Sequence, residues 1–164
     1  MKLESPPYHA CWYLITLGSE IAPGQVVSVE FLGGSVVVYH SECGVSHVHS
    51  AYCRHLGADL ALGKVAGENR RCAFHGWECD DPGRCTLIPA GDKVPPRARL
   101  FAYPTAESLG IIWAFNGSDP TSPVPTFSED PAAADSFRNP QAMGVSSDVV
   151  FLNTFDQQQF RVVH

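Results

Sequence analysis

The 164-residue chain contains no long hydrophobic run and no cluster of basic residues. No stretch approaches the roughly 18 consecutive apolar residues of a membrane-spanning helix, and residues 1–7 lack the apolar segment of a signal peptide. We therefore expect a cytoplasmic protein with no membrane partner. The 11 basic residues are outnumbered by 17 acidic ones, and the resulting net charge of −6 argues against a nucleic-acid partner.

Two short motifs, each joining one cysteine to one histidine, are the most informative part of the sequence. The first has the pattern C-x-H, and the second, sixteen residues later, has the pattern C-x-x-H. Two thiolates and two imidazoles suit a [2Fe–2S] cluster in which one iron takes the Cys ligands and the other takes the His ligands. Gly57 and Gly76 allow the two loops to approach a shared cluster closely. The predicted cluster ligands are Cys53, His55, Cys72 and His75.

A structural zinc site is the alternative for these four residues, because two cysteines and two histidines are also a common tetrahedral zinc set. Zinc fingers usually keep their cysteines together and their histidines together, whereas each motif here is mixed. A zinc-binding interaction module is therefore the less favoured, non-redox hypothesis. It predicts a colourless protein, whereas an iron–sulfur protein would be red-brown.

Short strand-like segments separated by glycine and proline turns fill the first two thirds of the chain, without a long helical period. This pattern predicts an all-β fold, either a sandwich or a barrel. Gly33 and Gly34 form a two-residue hairpin signal between two of the strands. His47 and His49 share one face of another segment, where a surface or packing role is expected. The predicted strands include residues 12–17, 26–32, 36–39 and 109–115.

The composition divides the chain into three parts. Residues 1–117 are predicted to form the β domain. Residues 118–148 are predicted to be a linker or excursion, because five prolines occur between Asn116 and Pro140. Residues 149–164 are apolar again and are expected to form a short helical tail.

The residues around both motifs resemble those of a known family. Residues 53–60 read C-R-H-L-G-A-D-L and residues 72–77 read C-A-F-H-G-W, which is similar to the Rieske non-haem iron oxygenases. The resemblance implies an antiparallel Rieske-type β-sandwich with two cluster-binding loops. It also implies an NAD(P)H-dependent reductase or a ferredoxin as electron donor, and a homotrimer in which the electron leaves through His75.

Three positions within the motifs predict a low reduction potential. Rieske proteins of high potential carry a further cysteine in each loop and a serine after the second His-Gly, where this chain has Ala58, Phe74 and Trp77. Fewer hydrogen bonds to sulfur leave the reduced cluster less stabilised, so we expect a potential of roughly −150 mV. The side chains expected to form a dry lid over the cluster are Leu56, Leu60, Leu62 and Trp77.

The last residues resemble the start of the oxygenase catalytic domain, where the pattern is N-x-x-D-x-x-H-x-x-x-x-H. Asp156 matches the carboxylate that bridges a cluster histidine of one subunit to an iron-binding histidine of the next, and His164 matches the second histidine of a mononuclear Fe(II) site. Gln159 stands in place of the first histidine. Mononuclear Fe(II) is therefore expected only if a missing catalytic half is supplied.

Two redox hypotheses follow. In the first, the chain is the Rieske electron-transfer component of an oxygenase system and passes single electrons towards an iron site that it does not complete. In the alternative, it is a stand-alone carrier of ferredoxin type, and Gln159 favours this alternative.

Overall fold

The computed structural model describes residues 8–91, 93–126 and 144–145. Within these ranges the chain forms antiparallel strands and two single turns of 3-10 helix, Gly18–Glu20 and Leu60–Leu62, with no α-helix. The all-β prediction is therefore confirmed. Most of the linker predicted over 118–148, and all of the tail predicted over 149–164, lie outside the described residues.

The described residues contain strands that are numbered here in chain order. They are β1 Trp12–Leu17, β2 Val26–Phe31, β3 Gly34–His40, β4 Ser46–Ser50, β5 Lys64–Ala66, β6 Asn69–Arg71, β7 Glu78–Cys79, β8 Cys85–Leu87, β9 Ala102–Tyr103, β10 Thr105–Ser108 and β11 Ile111–Phe115.

These strands form three antiparallel sheets. The first sheet has the order β1-β11-β10, the second β2-β3-β4-β9 and the third β5-β6-β7-β8. Side chains link the first sheet to the second: the Ser46 hydroxyl donates to the Glu107 carboxylate at 2.9 Å, and the Val48 amide donates to the Thr105 hydroxyl at 3.2 Å. The third sheet carries the second cysteine–histidine motif between β6 and β7.

Strand β3 contributes to two separate cores, because successive side chains of a strand point to opposite faces. Val36 and Val38 face the first sheet, whereas Val37 faces the third sheet and the two motif loops. The sandwich core consists of Ile15, Ile21, Phe31, Val36, Val38, Val48, Ile112 and Ala114. The loop core consists of Val37, Ala51, Cys53, Leu60, Cys72, Cys79, Cys85, Ile88 and Leu100.

The hairpin between β2 and β3 turns one residue earlier than predicted. Phe31 pairs with Gly34, so the two turn residues are Leu32 and Gly33 rather than the two glycines. Both have positive φ, 49° and 73°, as a two-residue turn matched to the strand twist requires. Gly34 opens β3 instead, because the pairing of β2 with β3 continues through it.

Candidate metal centre

The first motif forms a tight loop, residues 53–58, that leaves β4 and enters the 3-10 turn. The Cys53 amide donates to the Ala58 carbonyl at 2.9 Å, and the Gly57 amide donates back to the Cys53 carbonyl at 2.8 Å. Gly57 has a φ of 72°, which glycine adopts without the steric cost of a Cβ atom. The loop is thus closed by its own backbone.

The second motif, residues 72–77, repeats this backbone frame between β6 and β7. The Cys72 amide donates to the Trp77 carbonyl at 2.9 Å, and the Gly76 amide donates to the Cys72 carbonyl at 3.0 Å. Gly76 has a φ of 70°. The two loops therefore share one frame and differ in the histidine, which is the third residue of the first loop and the fourth of the second.

The two imidazoles meet at the exposed tip of the loops. The Nδ1 atoms of His55 and His75 lie 3.1 Å apart, and both side chains are exposed. The Trp77 indole stacks on the His55 ring with a centroid distance of 4.7 Å and an angle of 9°. Phe74 contacts the His75 ring at 4.0 Å. Aromatic neighbours thus restrict both rings while leaving their edges accessible.

The two cysteines meet beneath the histidines, inside the loop core. Cys53 is 6% exposed and Cys72 is 3% exposed, and both are free thiols. Burial raises the pKa of the Cys53 thiol, and the Cys72 thiol, to which it is hydrogen-bonded, raises that pKa further. Metal binding would remove these thiol protons, because only the thiolate is a ligand.

The four donors therefore form two pairs, a buried sulfur pair and an exposed nitrogen pair. In the described part of the chain, no three His, Cys, Asp or Glu side chains converge on one point. A [2Fe–2S] cluster with mixed ligation needs two thiolates at one iron and two imidazoles at the other. The paired donor set fits that cofactor.

A buried polar layer, which the sequence reasoning missed, lies behind the sulfur pair. His47 and His49 pack on the Tyr39 ring at centroid distances of 5.0 and 5.5 Å, so the packing role predicted for these histidines is confirmed and the surface role is wrong. Asp81 holds both rings: its carboxylate lies 2.6 Å from His47 Nδ1, and its carbonyl lies 2.8 Å from His49 Nε2. Burial and the nearby Arg70 lower the pKa of His49 to about 4.

Other site predictions have different outcomes. Leu60 is buried in the loop core, whereas Leu56 and Leu62 are 68% and 76% exposed, so a closed lid from these two leucines is wrong. Leu56 lies within the first loop, and Leu62 ends the 3-10 turn that follows it. The tail residues named in the sequence analysis, Asp156, Gln159 and His164, lie outside the described residues.

Two further cysteines belong to the same core without joining the donor pairs. Cys79 and Cys85 face each other across β7 and β8, and both are free. Burial raises the pKa of Cys79 to about 12, so this thiol is neutral.

A β-protein that presents paired thiols and paired imidazoles between two facing loops belongs to the class of binuclear metal proteins. A model of the Rieske [2Fe–2S] domain matches residues 11–104. The chain belongs to this family, whose domain binds a [2Fe–2S] cluster.

Similar proteins include oxygenases and desaturases of sterols. The chain is 34% identical over 175 residues to a probable 3-ketosteroid-9-alpha-monooxygenase, oxygenase component, of Rhodococcus rhodochrous, covering 100% of this chain and 44% of that protein. It is 40% identical over 131 residues to the cholesterol 7-desaturase nvd of Xenopus laevis, covering 76% of this chain and 29% of that protein. The chain thus spans less than half the length of these relatives.

Among solved structures, the NdmA QL mutant of Pseudomonas putida CBB5 with theobromine matches with a TM-score of 0.80 and 25% identity. The match covers 94% of this chain and 49% of that one. Within the described residues, no helix is long and apolar enough to cross a bilayer.

Proposed function

We propose that this chain is the electron-transfer half of a non-haem iron oxygenase, in which a [2Fe–2S] cluster is held between the two loops. Cys53 and Cys72 would bind the inner iron, and His55 and His75 would bind the outer one. The cluster supplies one-electron redox chemistry when it is bound. The protein's part is to hold the four donors in position, to keep the sulfur side dry and to leave the histidine side accessible.

The single observation that carries this proposal is the division of the donors by depth. The thiols are almost fully buried and meet each other, while the imidazoles are exposed and lie 3.1 Å apart at Nδ1. An electron carrier needs such an arrangement, because the cofactor must be shielded on one side and must approach its redox partner on the other. A structural zinc ion would instead need all four donors around one point.

The redox partners that we propose are those of an oxygenase component, because a similar protein is described as one. An NAD(P)H-dependent reductase or a ferredoxin would supply electrons at the exposed tip, in the cytoplasm. In a homotrimer, His75 would pass the electron towards Asp156 of a neighbouring subunit. His164 would then be one ligand of a mononuclear Fe(II) site that a complete catalytic half supplies. A steroid is the substrate class we propose for the full enzyme, because relatives are named for 3-ketosteroid and cholesterol.

The direct test is anaerobic purification followed by iron and sulfide analysis and by electron paramagnetic resonance of the dithionite-reduced protein. We expect two irons and two sulfides per chain. C53S and C72S should abolish the cluster, while H75C should keep it and shift the potential to a more negative value, because a thiolate adds negative charge.

C85S is the matched control, since Cys85 lies in the same core and faces Cys79 rather than the loops. It should keep its iron and its spectrum. A colourless protein that contains one zinc per chain, or a full cluster in C53S or C72S, would contradict the proposal.

A stand-alone carrier is the second candidate, and Gln159 in place of an iron-binding histidine favours it. The intact mass of the polypeptide from its native source separates the two. A mass equal to that of the 164 residues favours the carrier, whereas a mass at least twice as large identifies a part of an oxygenase.

A further inference from the structure

Arg70 is a charged side chain buried without a charged partner. It lies on β6, two residues before Cys72, and is 1% exposed. Among the described residues, none of its three guanidinium nitrogens has a hydrogen-bond partner. Its guanidinium carbon lies 5.9 Å from the centroid of the Tyr39 ring.

Such a position is costly unless another charge compensates it. The effective penalty for burying an ion is several kcal/mol, and arginine cannot escape the penalty by losing its proton. An arginine is therefore retained in a protein interior when an anion lies close to it.

The carboxylates of the neighbouring strand and turn have other partners. Glu78 pairs with Arg71, Asp80 accepts from Arg84 at 3.0 Å, and the Asp81 carboxylate lies against His47. None of these three acidic side chains forms an ion pair with Arg70 in the described part of the chain.

The other titratable groups around Arg70 are neutral. Burial raises the pKa of Tyr39 far above its usual range and raises the pKa of Cys79 to about 12, and it lowers the pKa of His49 to about 4. A phenol, a thiol and an uncharged imidazole thus surround the guanidinium, and none of them carries a negative charge at neutral pH.

Among the described residues, the sulfur pair is the remaining source of negative charge for Arg70. Cys53 and Cys72 are both in the electrostatic environment of Arg70, and both become thiolates when they bind metal. A bound cluster would gain one further negative charge when it takes up an electron, without a protein bond breaking or forming.

We infer that Arg70 is the buried counter-charge of the iron–sulfur cluster and that it holds the reduction potential above the value that the two loops alone would give. This inference rests on the proposed function, because it requires a cluster between the loops. Arg70 acts here as a potential-setting residue and not as a ligand. Its positive charge stabilises the reduced form more than the oxidised form, because the reduced form carries the additional electron.

The test is a redox titration of the purified holoprotein with dithionite as reductant. Visible circular dichroism monitors the oxidation state of the cluster during the titration. R70M removes the charge and keeps much of the side-chain length. At a fixed solution potential we expect its ratio of oxidised to reduced protein to rise at least about tenfold, which is a shift of about 59 mV to more negative potential for one electron. R70K keeps the charge, so its ratio of oxidised to reduced protein at the same solution potential should stay within about threefold of the ratio in the unchanged protein.

R71M is the matched control, because Arg71 is the next residue on the same strand, is half-exposed and pairs with Glu78. Its potential should remain unchanged. If R70M holds a full cluster at the original potential, or if R70K shifts as far as R70M, the inference is overturned.

The cluster content of the Arg70 variants separates the remaining outcomes. A cluster in R70K and none in R70M or R70Q supports the requirement for charge. Loss of the fold or of the cluster in all three variants overturns it, because the guanidinium would then serve packing alone. If the unchanged protein holds no cluster, the proposed function itself has failed, and this outcome is distinct from an unaltered potential in loaded R70M.

Discussion

Strands β3 and β4 present two faces that are equally buried and chemically opposite. On the face towards the first sheet, Val38 pairs with Val48, and both are inaccessible to solvent. On the face towards the loops, Tyr39 pairs with His47 and Val37 pairs with His49, and all four are buried. Burial therefore does not dictate an apolar side chain. What lies opposite each face decides its chemistry.

The difference predicts two sources of stability. The sandwich face is stabilised by the removal of apolar area from water, which no cofactor controls. The loop face holds polar and charged groups that are favourable only with fixed hydrogen bonds and a compensating charge. The two faces should therefore respond differently to loss of metal, to truncation and to acid.

Removal of the cluster should have the largest effect, and it should fall on the loop side. Metal binding contributes directly to folding free energy in sites of this size, on the order of 10 kcal/mol for structural zinc. After chelation, we expect amide hydrogen exchange in β6 and β7 to become at least about 100-fold faster, which is about 2.7 kcal/mol. The amides of β3 and β11 should keep most of their protection.

Hydrogen exchange measured by mass spectrometry on the loaded and the chelated chain provides the comparison. A uniform loss of protection through all three sheets would show that the two faces are not independent.

Truncation within the sandwich core should lower stability without altering the redox centre. Ile112 is inaccessible to solvent, and replacing it with alanine should cost about 2–5 kcal/mol of unfolding free energy. L14A is the control on the same sheet, because Leu14 is 54% exposed and its loss should cost less than about 0.5 kcal/mol. Denaturant unfolding of the holoprotein measures the first effect, and redox titration should find both potentials unchanged. A shifted potential in I112A would show coupling between the two cores.

Much of this fold could be predicted from the sequence, because glycine turns and β-branched runs are local signals. Strand β1 has the predicted bounds, and the two motifs alone predicted Cys53, His55, Cys72 and His75 as the cluster ligands. The three-residue strand β5 was missed, because its Lys-Val-Ala sequence is too short to show alternation. It forms through pairing with β6, which is a tertiary effect.

The polar layer could not be predicted from the sequence for a different reason. His47 and His49 were correctly placed on one face, but the identity of the opposing face depends on β6 and on the turn that carries Asp81. Arg70 and Arg71 look alike in the sequence, and only the strand pairing shows which of them points inward. The stacking of Trp77 on His55 likewise joins two loops that are distant in the sequence.

Acid should destabilise the loop face through His49. Its pKa is about 4 in the fold and about 6.5 when unfolded, so the folded state binds this proton less readily than the unfolded state. Stability is therefore complete above about pH 6.5 and declines as the pH falls towards 4, by up to about 3 kcal/mol. Denaturant unfolding at a series of pH values measures the slope.

H49Q should flatten that slope, because the amide can donate to the Asp81 carbonyl and has no proton to gain. H9Q is the control, since His9 is exposed, and it should keep the slope of the unchanged protein. An equally steep slope in H49Q would assign the acid effect to other groups.

The smallest predicted effect distinguishes the two motif loops, residues 53–58 and 72–77, from each other. Gly57 and Gly76 occupy the same place in the shared frame with nearly the same φ. An added Cβ would meet nothing within 4 Å at Gly57, whereas at Gly76 it would lie 2.9 Å from the Pro89 ring. Alanine costs about 1–2 kcal/mol at either position for the left-handed backbone.

The contact with Pro89 should add about 1 kcal/mol to the cost of G76A, the lower end of the usual range for overpacking. We choose the lower end because Pro89 is exposed and can move outward. Unfolding free energies of the two loaded variants give the difference directly, and their common backbone strain cancels in the subtraction. A difference near zero would mean that the Pro89 segment yields freely and that the two loops are equivalent in packing as well as in hydrogen bonding. A difference of the opposite sign would mean that the first loop, which is open to solvent, depends on its glycine for more than backbone conformation.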